Sequence, residues 1–301
     1  MYYFIVNPAS GSGRGRTVWN LVKAELDRLG ADYRFYLLSG KGEARKLARS
    51  LSEMNRRITV VAVGGDGTIN EIISGFTSFE HITFACIPTG SGNDFVRGLG
   101  LTVKPLESLH RILHPTEIKR INIGQVAGTS FAVSSGVGFD AAVCYAIQDS
   151  QLKKALNLFH CGKLVYLLTA LWQLFTMKRQ SLQIRTDAGP AVSFRKVYFA
   201  AAMNLPYEGG GFQFCPNAQP DDDCLDLIIA NGISRPRALM LLPLALLGKH
   251  VGHKGIQIVR CQSAIVTAQT PICTHTDGEV PGFYKEVSFC LRPEKLSVIF
   301  R

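Results

Sequence analysis

Residues 58–71, ITVVAVGGDGTINE, constrain this chain more than any other stretch. The first half is an unbroken apolar run rich in β-branched residues, the pattern of a strand buried on both faces of a parallel sheet. The second half is a glycine turn that passes into helix-forming sequence. A strand, a tight turn and a helix start in succession bring backbone N–H groups and a helix N-terminus to one place, where an anion can sit. Asp66 stands out there, because a carboxylate beside a phosphate site repels it unless a metal or a proton lies between. Taken alone, the turn is also compatible with an ordinary strand–turn–helix connection capped by Asp66 and Thr68.

The pattern recurs on either side. Residues 2–6 predict a buried strand broken by NPASGSG (residues 7–13), then a helix with Val18, Leu21, Val22 and Leu29 on one face and Gly30 closing it. Residues 33–38 predict a second strand, and residues 42–54 a second helix with Ala44, Leu47 and Leu51 inward. A further strand at residues 83–87 runs into a third glycine loop, PTGSGNDF (residues 88–95). Alternating strands and helices predict a doubly wound parallel sheet. Ligands bind at the carboxyl ends of such strands, so the three loops should converge on one crevice.

Past about residue 120 the pattern changes. Residues 121–126, 131–134, 182–185, 192–203, 225–230, 255–266 and 284–289 predict strands separated by turn residues, the spacing of an antiparallel sandwich or barrel. The expected organisation is a nucleotide-binding α/β domain over residues 1–120, completed by a last strand within residues 292–301, and a β-sandwich domain over residues 121–291. Residues 164–177 and 238–247 are apolar helical stretches too short to span a bilayer. Either they pack on the sandwich or, with Arg235, Arg237, Lys249 and Lys254 bracketing the second, they present a greasy, cation-flanked surface to an anionic membrane.

Lys and Arg exceed Asp and Glu by 10 in 301 residues, a balance that favours anionic partners. Nucleic acid is not among them, since there is no zinc spacing, no RNP-type motif and no basic run interleaved with aromatics. Eight cysteines occur without a CxxC pair and read as reduced core thiols of a cytosolic protein. With a strand predicted from residue 2, no signal peptide is expected.

The first loop lacks GxxxxGK[ST] and GxGxxG, which argues against Walker-type hydrolysis and against a Rossmann dehydrogenase. The second and third loops end in polar clusters: Asp66, Thr68, Asn70 and Glu71, then Ser91, Asn93 and Asp94. Hydroxyls, amides and backbone N–H groups hold phosphate oxygens, while Asp66 and Asp94 call for a divalent cation. Phosphoryl transfer is the reaction that uses such a set, because its catalysis is largely positioning and charge neutralisation.

GGDGTINE (residues 64–71) followed by PTGSGNDF resembles the diacylglycerol kinase catalytic-domain family, in particular its soluble bacterial lipid kinases, with the sphingosine kinases more distant. The similarity runs on through GVGFDA (136–141), GGG (209–211), CPNA (215–218), DDDCLD (221–226) and TDGE (276–279). GGDGT alone is shared with NAD kinases and phosphofructokinases. The resemblance implies a two-domain kinase that uses ATP and Mg²⁺ on a lipid hydroxyl, peripheral on the cytoplasmic face of the membrane. It implies nucleotide contacts from Asn7, Pro8, Ala9, Ser10 and Gly11, from Gly65, Asp66, Gly67, Thr68, Ile69, Asn70 and Glu71, and from Ser91 and Asn93. A further contact falls at Leu38 or Ser39. Glu279 is implied as the general base, with Asp277 beside it, and Asp66 and Asp94 as organisers of metal and phosphates. On the residues alone, Asp277-Gly278 is a hairpin signal.

The resemblance also implies a second metal held by the Asp222 carboxylate and the carbonyls of Gln219 and Cys224, an oxygen set that suits Mg²⁺. Three consecutive aspartates would otherwise describe a solvated loop. The chain departs from the family pattern at Asp223, where Gly is usual, at Asn122, where Asp is common, and at Ser91, which replaces a common Thr. Two other readings stay open: an NAD kinase, and a non-catalytic nucleotide sensor on membranes. No motif separates diacylglycerol, phosphatidylglycerol, a long-chain base or a polyprenol as acceptor. An edge strand of the sandwich can also pair across a homodimer.

Overall fold

The apolar run at residues 58–64 becomes the third strand of a six-stranded sheet in the computed structural model, which describes residues 1–148 and 162–301. The chain divides into two compact units, Met1–Ile123 with Pro293–Arg301, and Gly124–Arg292. In the first unit, β1 (Tyr2–Val6), β2 (Tyr33–Leu37), β3 (Ile58–Gly64) and β4 (Ile82–Pro88) are parallel in the order β2-β1-β3-β4. The chain's last strand, β15 (Leu296–Ile299), continues the sheet parallel to β4, and β5 (Ile118–Ile121) closes it antiparallel to β15. Because β2 lies on one side of β1 and β3 on the other, the winding reverses between β1 and β3, the point where α/β sheets bind ligands.

Five helices belong to this unit: α1 (Arg14–Arg28), α2 (Glu43–Ser52), α3 (Asp66–Gly75), α4 (Asp94–Gly98) and α5 (Pro105–Leu113). Phe4, Val6, Val61 and Val63 pack with Val22 of α1 and Leu109 of α5, while the alternate residues Tyr3, Ile5, Val60 and Ala62 are equally inaccessible. Both faces of the sheet are therefore covered, which is why its strands read as continuous apolar runs. The helix faces differ in detail from expectation. In α1 the inward set is Val18, Trp19, Val22 and Leu26, and Leu21 and Leu29 lie out in solvent. The indole decides this, since Trp19 packs its ring 5.5 Å from Phe4 and 5.1 Å from Phe35. In α2, Ala48 joins Ala44 and Leu51 at i, i+4, i+7 spacing, and Leu47 is only half-buried.

The second unit is antiparallel throughout its described strands: β6 (Gly124–Val126), β7 (Thr129–Phe131), β8 (Ser134–Gly138), β9 (Gln180–Thr186), β10 (Val192–Met203), β11 (Leu225–Asn231), β12 (Ile256–Cys261), β13 (Ser263–Thr276) and β14 (Glu279–Leu291). The long strands β10 and β13 each pair with β9 over their first half and with β8 over their second. Register shifts between Phe194 and Val197 and between Thr267 and Ile272 mark where the sheet forks. The layers enclose a core that includes Phe131, Leu182, Ala200, Leu227, Val266 and Phe289. Three helices, α6 (Phe139–Gln148), α7 (Gly162–Thr176) and α8 (Arg235–Leu246), cover a second apolar cluster on the other side of β10 and β11.

Three expected strands are corrected. Residues 121–126 split between the two sheets, with β5 ending at Ile121 and β6 starting at Gly124. Residues 131–134 are mostly a connection between β7 and β8. The expected strand at 255–266 breaks at Gln262, whose N–H, like that of Ser263, turns to the Asp187 carboxylate at 2.9 Å. Cys86, Cys215, Cys261 and Cys273 are buried free thiols, and burial pushes the Cys86 thiol up to about 12.

Candidate active site

The loops after β1, β3 and β4 meet at the switch point of the first unit. Asn7 donates its backbone N–H to Val63 O at 2.9 Å and its side-chain amide to Thr68 Oγ1 at 3.0 Å. Ser10 Oγ lies 2.6 Å from Thr89 Oγ1, joining the first loop to the third. Gly11 has φ +57°, and a Cβ there would stand 2.1 Å from Thr89 O. Gly65 and Gly90 pass backbone to backbone, so that a Cβ on Gly90 would lie 2.8 Å from Gly65 Cα. Glycine is thus demanded by contact as well as by conformation. Replacing Gly11 with Ala is expected to destabilise the first loop by about 1–3 kcal/mol of local strain, read by urea denaturation. Gly13 also has positive φ but has nothing within 4 Å of a built Cβ, so Gly13→Ala should have the smaller effect.

Asp66 opens α3 and accepts the N–H of Phe95 on Oδ1 at 3.2 Å, which draws Asp94, at the start of α4 and buried, to the same corner. Asn93 holds this turn in a left-handed conformation and donates to Gly90 O at 3.0 Å. Asp66 and Asp94 each offer carboxylate oxygens at a helix start, ligand chemistry that suits a hard divalent cation. Ala9, Gly67 and Ser91 are exposed around them, Pro8 and Gly65 are half-buried, and Ile69 and Asn70 are buried inside α3. Two side chains singled out in sequence bind the scaffold. Both Glu71 oxygens accept the Gly42 N–H, at 3.1 and 3.0 Å, tying α3 to the start of α2. The Ser39 N–H and hydroxyl bind the Glu43 carboxylate at 2.7 and 2.5 Å and hold its pKa below the ordinary range.

In the second unit, Asp277 and Gly278 form the two-residue turn from β13 to β14, with φ +47° and +86°, and Thr276 pairs with Glu279 across it. Positive φ at both central residues is the primed turn that strand twist prefers. The Asp277 carboxylate does more than turn the chain. It accepts the N–H groups of Ala132 at 2.8 Å and of Val133 and Ser134 at 2.9 Å, which holds residues 132 and 133 out of the sheet between β7 and β8. Glu279, half-buried, is the first residue of β14.

Beneath this hairpin lies a cluster that the sequence reading passed over. His275 is fully buried, with Nε2 at 3.0 Å from Asp140 Oδ2 and 3.3 Å from Glu208 Oε1, and with Gly278 N at 3.4 Å from Nδ1. Gly136 makes the room, since a Cβ there would stand 2.0 Å from Asp140 Oδ2. Burial works against the charged ring, but Glu208 and Asp140 outweigh it and push the imidazole up to about 9. Nε2 is thus the ring atom that these two carboxylates share, while Nδ1 accepts the Gly278 N–H. The signal in sequence was faint, a lone His in an apolar strand whose partners lie far away along the chain. A pKa raised in the folded state gives stability that is complete below about 6.5 and is lost as pH rises through about 9. Urea denaturation of the protein should therefore show stability falling by on the order of 3 kcal/mol across that window. A His275→Gln variant, less stable at pH 7, should lack the slope.

The loop at residues 219–224 differs from expectation. Asp222 Oδ1 accepts the Cys224 N–H at 3.0 Å, and Oδ2 receives Arg260 Nη2 at 2.6 Å. Asp223, where Gly is usual, adopts the left-handed conformation itself at φ +61°, which Asp tolerates better than most residues, and the turn closes undistorted. A metal ion at Gln219, Asp222 and Cys224 would share the Asp222 carboxylate with the Arg260 guanidinium. Both carboxylate oxygens are engaged, and a metal ion there would face the guanidinium charge. Arg260 is the cation that Asp222 holds.

Residues 1–126 match the Diacylglycerol kinase catalytic domain, and residues 132–300 match the YegS C-terminal NAD kinase beta sandwich-like domain. The chain belongs to the diacylglycerol kinase catalytic-domain family. It is similar to YtlR of Bacillus subtilis (strain 168), which carries a lipid-kinase name, at 28% identity over 93% of this chain and 94% of that one. A YegS-like protein of Xanthomonas euvesicatoria pv. vesicatoria (strain 85-10), also named for lipid-kinase activity, is 30% identical over 73% of this chain and 72% of its own. In fold, the chain superposes on a diacylglycerol kinase of Bacillus anthracis str. Sterne with a TM-score of 0.73 at 21% identity, covering 100% of this chain and 96% of that one. An NAD kinase from Archaeoglobus fulgidus in complex with ATP gives 0.57 at 15% identity, covering 99% and 93%. The fold is thus that of the diacylglycerol and NAD kinases, and the two relatives carry lipid-kinase names.

Proposed function

We propose that this protein transfers the γ-phosphoryl group of ATP to the hydroxyl of a lipid. The observation that carries the proposal is the meeting of three glycine loops at the sheet's switch point, in a chain that also carries Glu279 on a fixed hairpin. The three loops would hold the nucleotide, with backbone N–H groups and the Ser10 and Thr68 hydroxyls toward the phosphates. Arg14 and Arg16, exposed in the first turn of α1, would add positive charge at that edge. Asp66 and Asp94 would hold a Mg²⁺ ion, which when bound neutralises charge on the transferring phosphoryl group. Glu279 would take the proton of the acceptor hydroxyl as its oxygen attacks the γ-phosphorus. Asp277, whose carboxylate is occupied by three backbone N–H groups, would position that base rather than share its chemistry.

An acceptor panel tests the proposal. Diacylglycerol, phosphatidylglycerol, a long-chain base and a polyprenol are presented in mixed micelles with labelled ATP and Mg²⁺, alongside NAD in buffer. Label in one organic-phase product is expected. Label in NADP instead would assign the chain to the NAD kinase reading, and ATP binding without transfer would leave a sensor.

A further inference from the structure

Glu279 leaves a hairpin tip that the strand ladder alone does not aim. Thr276 pairs with Glu279 but Thr274 pairs with Gly282, so just beyond the turn β14 carries one residue more than β13. A bulge of this kind bends the strand and re-aims its side chains. The tip therefore takes its direction from side-chain anchors as well. Asp277 supplies one, through the N–H groups of residues 132–134. His275 supplies the other. Its backbone is fixed without the ring, since it pairs with Gly136 of β8 and its carbonyl accepts the Ser135 hydroxyl at 2.6 Å. The ring adds a separate contact, in which Nδ1 accepts the N–H of Gly278, the residue before Glu279, at 3.4 Å.

The far side of the ring explains why it stays there. Nε2 faces Asp140 Oδ2 at 3.0 Å and Glu208 Oε1 at 3.3 Å, and each carboxylate belongs to a segment that is itself tied down. Asp140 stands in the first turn of α6, where its Oδ1 accepts the Ala141 N–H at 2.8 Å. Glu208 exchanges two backbone hydrogen bonds with Phe212, at 2.9 and 3.0 Å. Cys273 donates its S–H to Ala141 O at 3.4 Å, which joins the same helix start to β13. The ring, Asp140 and Glu208 are all buried. Hydrogen bonds in such surroundings are stronger than in water, and a polar group left without one is costly, so the network holds the ring in one orientation. Three segments thus converge on one imidazole, and the imidazole in turn touches the peptide that carries Glu279.

We propose that His275 is a positioning residue for Glu279: with Asp140 and Glu208 holding its ring, it fixes the Gly278 peptide and so the direction in which Glu279 meets the acceptor hydroxyl. This role rests on the reading of Glu279 as the base. The test is His275→Gln, whose amide keeps an N–H donor for the two carboxylates but offers Gly278 no acceptor. It is made alone and in the Glu279→Gln background, with kcat referred to titrated ATP sites. A misplacement of about 1 Å costs on the order of 10²-fold in rate, so a fall in kcat of about tenfold or more is expected in the first background. In the second, where the base is already gone, the further fall should be under about twofold, because residues acting through one group are not additive. KM for ATP should not change. Asp140→Asn, which turns an amide N–H toward Nε2 or toward the Ala141 N–H, should repeat the pattern from the other side of the ring. Amide hydrogen exchange, read without any substrate, should quicken over residues 276–282 in both variants while residues 225–231 of β11 stay protected. Equal losses of kcat in the two backgrounds, fewer ATP sites with kcat per site unchanged, or an undisturbed hairpin in exchange would each overturn the proposal. A slow Glu279→Gln beside a normal His275→Gln would overturn this role alone. Near-native turnover by Glu279→Gln would overturn the base assignment, and the role with it.

Discussion

Glu279→Gln is expected to lower kcat by about 10²–10⁴-fold, the range that general-base catalysis contributes. ATP affinity and thermal stability should stay near the wild-type values. The reason is position. Glu279 is half-buried at the very start of β14, paired with Thr276 across a turn whose geometry depends on the two residues before it. Gln keeps the size and the strand register but cannot accept the acceptor's proton. Steady-state kinetics with the preferred lipid, together with calorimetry of ATP binding, separate the two effects. Near-native turnover by the variant would remove Glu279 from the base role.

Asp277, two residues away, should behave in the opposite manner. Its carboxylate gathers three backbone N–H groups, and Val133 and Ser134 share one oxygen while Ala132 binds the other. A hydrogen bond to a charged acceptor contributes about 1.5–3 kcal/mol, and the three are not additive. Asp277→Ala should therefore destabilise by roughly 3–5 kcal/mol and lower Tm by about 8–15 °C. Asn should rescue little, since both carboxylate oxygens act as acceptors and an amide would turn an N–H toward one of these donors. Activity would fall with folding, as a loss of active protein measured by titration of ATP sites, rather than as a loss of kcat per folded molecule. A well-folded, inactive Asp277→Ala protein would mean that Asp277 takes part in the chemistry itself.

The contrast between these neighbours shows what was legible in the sequence and what was not. The strand before GGDGT, the three glycine loops and the DG turn were readable because each is a local pattern with a physical cause: burial on two faces, backbone contact, or positive φ. The inward face of α1 was misread because Trp19 and Leu26, rather than Leu21 and Leu29, satisfy the packing against Phe4 and Phe35. The forked pairing of β10 and β13 was not readable, since one continuous strand gives no sign that it changes partners midway. The tasks of Asp277, His275 and Asp222 were hidden for a shared reason. Each is defined by a partner remote in sequence, the N–H groups after β7, the carboxylates of Asp140 and Glu208, and the guanidinium of Arg260. A motif shows that a carboxylate is present, but its partners decide whether it catalyses or holds.

The proposed reaction is phosphoryl transfer to a lipid hydroxyl with Glu279 as base. The most direct measurement is a single-turnover assay with γ-labelled ATP, Mg²⁺ and the preferred acceptor in mixed micelles, run for wild type and Glu279→Gln at matched ATP-site concentrations. Label is expected in the organic phase for the wild type, with transfer slowed by about a hundredfold or more in the variant. Equal rates for both proteins, or label that never leaves the aqueous phase, would contradict it.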